Sequence, residues 1–228
     1  MTTATTQLPP ARPFTPEECA VLVSAGIIAD GEQPAVLAGK RRFTVEECLA
    51  MVSAGILHED DRIELIDGVL IYMAPIGDNH ENTTDWLAEL SYRYFGDRAR
   101  VRVQGSIRLS NMSAPQPDVA ILRRRPLADS RPYFPEDIFL VIEVANTSLR
   151  YDSGPKLARY AAAGIAEVWV VNLRDGTVTV YTSLSDSAYT SIRTYLPGES
   201  ISPQAFPDVS LAVADFVLPP DGSFDETD

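Results

Sequence analysis

Residues 138–172 read IFLVIEVANTSLRYDSGPKLARYAAAGIAEVWVVN. The apolar run 138–145 has the profile of a strand covered on both faces. After the polar NTSLRYD, Ser153-Gly154-Pro155 is a helix-opening signal, KLARYAAA continues at helical spacing, and Gly164 closes it. EVWVVNL then predicts a second strand. Strand, helix, strand is the centre of an α/β fold, and one acid, Glu143, stands inside its most apolar segment.

Upstream, DVAIL (118–122) is another short apolar strand, and RARVRVQGSIRLS (98–110) alternates cation and apolar residue at the period of a half-exposed strand. DNHENTTDWLAELSYRYFG (78–96) fits a helix ending at Gly96. Before it, RIEL and VLIYMA flank Ile66-Asp67-Gly68, a hairpin signal. Downstream, Asp175-Gly176 and TVTVYTSL complete a second hairpin, followed by a strand at 188–195. This order predicts a mixed β-sheet flanked by helices.

Residues 14–27 (FTPEECAVLVSAGI) and 43–56 (FTVEECLAMVSAGI) share ten of fourteen residues at an offset of 29. Each copy carries a Thr at the N-cap, Glu in the first turn and Gly after the last turn, so each predicts one short amphipathic helix. Two copies are too few for a solenoid. The first supplies an extra N-terminal helical segment, whose apolar residues Cys19, Val21, Leu22, Ile27 and Ile28 need burial on its own core or on a neighbour. The expected partition is an extension over 1–40, a main domain over 41–218 and an acidic, disordered tail over 219–228.

At 228 residues, 45% hydrophobic and 22% charged, the chain can bury a core. It has no apolar run of membrane-spanning length and no secretory pattern at its start, so no membrane partner is expected. Two cysteines and two histidines exclude a disulfide framework or a His-rich zinc centre, and a cytoplasmic setting follows. The net charge of −13 disfavours coating nucleic acid by bulk electrostatics, yet residues 98–131 carry eight arginines against two acids, a local balance of +6. Arg98, Arg100 and Arg102 are expected to form a solvent-facing stripe suited to phosphate contact. Seventeen of the nineteen basic residues are Arg, which makes Lys40 and Lys156 conspicuous.

Glu143 on a buried strand requires a partner, a proton or a cation. Asp118, after Pro117, opens the neighbouring apolar strand; its alternatives are a strand cap or half of a hard-oxygen site for Mg2+ or Mn2+. Asp152, Lys156 and Tyr160 share one helix face at i, i+4 spacing, and Lys156 is either a solvated cation or a point charge that holds water or phosphate. Glu64, in the RIELID strand, and His80, early in the following helix, are secondary candidates; His80 could equally cap that helix.

The stretches FTVEECLAM, RIELIDGVLIYMAP followed by His80, PQPDVAIL and LVIEVANTSLRYDSGPKLARYAAAGIAEVWVVN resemble the Uma-two family of restriction-endonuclease-like proteins, a branch of the PD-(D/E)XK nuclease superfamily. The likeness runs from about Phe43 to Val217. It implies a restriction-endonuclease-like core, Asp118 and Glu143 as metal-binding acids with the Val144 carbonyl, and Lys156 in place of the usual lysine two residues after the acid, where Ala145 stands. It implies a Mg2+- or Mn2+-dependent endonuclease that hydrolyses phosphodiester bonds, with DNA as substrate and a homodimer as its working form. The competing expectation is a non-catalytic protein-interaction module that retains the nuclease fold.

Overall fold

The computed structural model describes residues 8–58, 60–73, 77–126 and 128–217. The tail at 219–228 and Pro75–Ile76 lie outside the described residues. The chain forms two compact units, one from the described residues of 9–74 and 108–115, the other from those of 75–107 and 116–217. The first unit holds both copies of the duplication, and residues of the two copies share one buried cluster.

In the first unit α1 (Pro16–Ser24) and α3 (Val45–Ser53) are the duplicated helices, with the short α2 (Gln33–Leu37) between them. Each begins with a capping box: Thr15 with Glu18, and Thr44 with Glu47. The repeat extends to one more residue, since Arg12 pairs with Glu18 and Arg41 with Glu47, each at 2.6 Å. Each guanidinium also lies over the Phe two residues on, and Phe14 and Phe43 meet with ring centres 5.5 Å apart. Cys19, Leu22, Ile27 and Ile28 are buried in one cluster with Met51, Ile56 and Leu57, whereas Val21 is 39% exposed.

The hairpin β1 (Ile63–Ile66) and β2 (Val69–Tyr72) turns on Asp67 and Gly68, with φ of 50° and 74°. Two consecutive positive φ values are the twist-matched hairpin turn, and Gly68 supplies one without strain. The two strands make a sheet of their own. Each strand also carries one isolated bridge within this unit, Leu65 to Ala114 and Ile71 to Ala11.

The second unit holds α4 (Asp78–Phe95), β3 (Ala99–Val103), β4 (Val119–Arg123), β5 (Ile138–Ala145), a helical run from α5 (Leu149–Tyr151) through a wide turn (Asp152–Lys156) into α6 (Leu157–Ala163), then β6 (Val168–Asn172), β7 (Thr177–Ser185), β8 (Ala188–Tyr195), β9 (Ser200–Ile201) and β10 (Leu211–Ala212). Six strands form one mixed sheet in the order β3-β4-β5-β6-β7-β8. Only β5 and β6 are parallel, and a parallel pair requires a crossover, which the helical run supplies. One face buries Val119, Ile121, Leu140, Ile142, Val144 and Trp169 with Leu87 and Phe95 of α4.

The helical run begins at Leu149, four residues before the expected start at Ser153. Pro155 lies inside it, in a π turn. Proline lacks an N–H and its ring meets the carbonyl four residues back, and the wider turn accommodates both. The C-terminal segment, beyond the last expected strand, adds Ile201, Phe206, Leu211 and Phe216 to the core. It is stapled by buried Glu167, which accepts from Trp169 Nε1 and from the Gln204 backbone N–H, each at 2.7 Å. Burial pushes this carboxyl up, against the opposing effect of those two donors. Among the described residues no helix is long and apolar enough to cross a membrane.

Candidate active site

The register of β4 on β5 pairs Val119 with Ile142 and Ala120 with Val141, and its next step sets Asp118 opposite Glu143. Directly opposed residues in an antiparallel ladder share a face. Asp118 and Glu143 therefore project from one side of the sheet at its end, 5% and 2% exposed.

Asp118 Oδ2 accepts from the Val144 backbone N–H at 2.8 Å and lies 3.2 Å from His80 Nε2. His80 is the third residue of α4, whose N-cap is Gly77, so it reaches the acid and does not cap the helix. Burial alone lowers the His80 pKa, but the Asp118 carboxylate, the Asp152 charge and a hydrogen bond to the Val144 backbone outweigh it and raise it. The imidazole holds its proton more tightly than a free one.

Glu143 takes the Lys156 ammonium across both oxygens, at 3.0 Å and 3.1 Å, and accepts from Tyr160 O–H at 2.5 Å. Lys156 is 3% exposed in the π turn, one turn deeper in the helical run than the sequence placed it. Asp152 and Tyr160, one turn to either side, are buried as well. The structure thus gathers Asp118, Glu143, Val144, Lys156, Tyr160, His80 and Asp152. Glu64 is buried on β1, in the other unit.

The arginine stripe takes a different form. Arg98 precedes β3, pairs with Asp208 at 2.6 Å and 2.8 Å, and lies over Phe206. Arg100 and Arg102 are half-buried instead of solvent-facing. The cause is the connection between β4 and β5, which folds over that part of the sheet and sets Tyr133 against Arg102, with ring centre and Cζ 4.7 Å apart. Arg125 also reaches this ring. The cationic run 98–131 signalled Arg125, while Tyr133 carried no signal.

Asp118, Glu143 and the Val144 carbonyl are hard oxygen donors of the kind Mg2+ and Mn2+ take. Among the described residues no group of three or more His, Cys, Asp and Glu forms a metal cage. Mg2+ does not require one, since one or two carboxylates with water and substrate phosphate complete its shell. The residues present fit such an ion.

No curated protein matches this chain. Among solved structures it is similar to one described as a "putative nuclease belonging to DUF820" from Anabaena variabilis, with a TM-score of 0.60 and 15% identity, over 76% of this chain and 97% of that one. That likeness shows the fold, a nuclease-like mixed sheet flanked by helices. The model of the Uma2 family, described as "Putative restriction endonuclease", matches residues 45–214, and with three quarters of its length so covered the chain belongs to that family.

Proposed function

We propose that the protein is a metal-dependent endonuclease that hydrolyses phosphodiester bonds in DNA. The observation that carries this reading is the buried constellation in which Asp118 and Glu143 stand opposite each other at a sheet end with Lys156 on Glu143. In this reading Asp118, Glu143 and the Val144 carbonyl hold one Mg2+ or Mn2+. The bound ion supplies charge stabilisation to the phosphoryl oxygens and makes water more acidic. Lys156 Nζ, held by Glu143, orients the attacking water and offers positive charge where negative charge develops on the phosphate. Tyr160 fixes the Glu143 carboxylate, and His80 with the Val144 N–H fixes Asp118. Each chain carries one such centre, so cutting both strands of a duplex needs two chains related by a twofold axis.

The test is nicking of supercoiled plasmid with Mn2+, against a chelator control. Asp118→Asn and Lys156→Met are each expected to lower the rate by about a hundredfold or more. Wild-type nicking that survives Asp118→Asn would overturn the proposal. The net charge of −13 favours a second reading, a non-catalytic interaction module on the same fold. That reading expects no nicking, and no Mn2+ binding by calorimetry that Asp118→Asn removes.

A further inference from the structure

On the face of the sheet that carries Asp118, two arginines of β3 stand without an acid. Arg102 is opposite Ala120 and Arg100 opposite Leu122, so both share the face of Asp118 by strand alternation. Arg102 is diagonal to Asp118 in the ladder, a separation of about 7–8 Å between such positions. Among the described residues neither arginine has a carboxylate partner. The nearby acids are taken: Asp129 and Asp137 lie 3.6 Å and 4.0 Å from Arg125, and 3.1 Å and 3.5 Å from Arg131. Arg125 and Arg131 therefore take both carboxylates, and Arg100 and Arg102 are left with none, in a chain that is acidic overall.

The arrangement is built. Arg102 Nη1 donates to the Ser106 carbonyl at 2.6 Å. Its stem crosses Gly105, where a Cβ would come within 2.8 Å of Arg102 Cγ and Cδ. Tyr133, 5% exposed, is contacted by Arg102 and by Arg125, whose Cζ is 3.5 Å from the ring centre. Arg125 Nε is buried without a hydrogen-bond partner. Arg100 donates to the Arg125 carbonyl at 3.5 Å. Burial, with the like charges of Arg100 and Arg125, makes the Arg102 guanidinium a weaker base than usual, against the opposing effect of Tyr133. Half-desolvated cations held this close lack a counter-ion, and the planar donor fork of arginine matches a phosphate.

We propose that Arg102 and Arg100, backed by Arg125 and Tyr133, form a phosphate subsite that holds the backbone phosphate next to the scissile one. This rests on the nuclease reading of the Asp118 site for the identity of the phosphate, and on the arginine geometry alone for its anion chemistry. Arg98, neutralised by Asp208, has no part in it.

The experiment measures binding, not cleavage: anisotropy of a short labelled DNA duplex in metal-free buffer over a salt series. Each lost phosphate contact lowers the slope of log K against log salt concentration by about 0.9. Arg100→Gln/Arg102→Gln, which empties a subsite for one phosphate, is expected to lose about 0.9 from that slope, and Arg98→Gln to match the wild type. An unchanged slope in the folded double variant overturns the subsite, as does a wild type whose binding ignores salt. Arg102→Lys covers the case in which the Gln variants misfold. It keeps the charge but not the planar stack, so the slope stays and affinity falls about fivefold. Affinity equal to wild type in Arg102→Lys would overturn the subsite. A wild type that binds through these arginines yet never nicks plasmid leaves the subsite standing and removes the nuclease reading.

Discussion

Lys156 and Glu143 hold each other out of water, at 3% and 2% exposure and 3.0 Å apart. Each charge is stabilised chiefly by the other, because a buried ion that loses its oppositely charged partner has lost hydration without the Coulombic return. Lys156→Met is accordingly expected to destabilise the fold by about 3–5 kcal/mol in urea unfolding, while Glu143→Gln/Lys156→Met lies closer to wild type. Equal destabilisation by the single and double variants would show that the pair is not coupled. Glu143 was legible in the sequence because an acid inside an apolar strand is costly, and Lys156 because the chain otherwise uses arginine. The bond between His80 and Asp118 was not, since nothing local to either residue encodes a contact 38 positions away. The arginines of β3 were legible as a period-two pattern, but their burial depends on a connection whose path the pattern does not contain.

At the scale of elements, turns with an obligatory backbone geometry were the readable part. Gly68 combines a φ of 74° with a crowded site, where a Cβ would lie 2.7 Å from Met112 Cε, 2.8 Å from Arg42 Cβ and 3.1 Å from the Phe43 nitrogen. Gly26, with φ of 69°, has nothing within 4 Å. Gly26→Ala therefore isolates the cost of the left-handed backbone, about 1 kcal/mol, whereas Gly68→Ala adds the collision and is expected to exceed about 2 kcal/mol. Thermal unfolding of the two variants checks this, and equal losses would refute the steric part. The π turn at 152–156 was illegible for the opposite reason: Ser-Gly-Pro is a strong signal for a helix start, and the wider turn instead keeps Pro155 inside the run while Lys156 and Tyr160 reach β5. The two-residue strands β9 and β10 are too short to show a period.

For the whole molecule, the sheet order follows from the succession of apolar runs and one helix-sized crossover, which is why the class of fold could be read without coordinates. The division into units could not, because it depends on residues 108–115 joining a distant hairpin. On the proposed reading, one centre per chain requires a pair of chains for double-strand cleavage, so light scattering is expected to give about twice 24.9 kDa. A single-chain mass that holds over a wide concentration range would leave double-strand cleavage without a basis. The scarcity of lysine has a further consequence for handling the protein. Lys156 is enclosed by its ion pair, and the other lysine, Lys40, is exposed on the first unit. An acylating dye or an ester-activated support therefore finds one accessible lysine, so covalent labelling through that side chain is uniform from molecule to molecule and leaves the ammonium beside Glu143 unmodified.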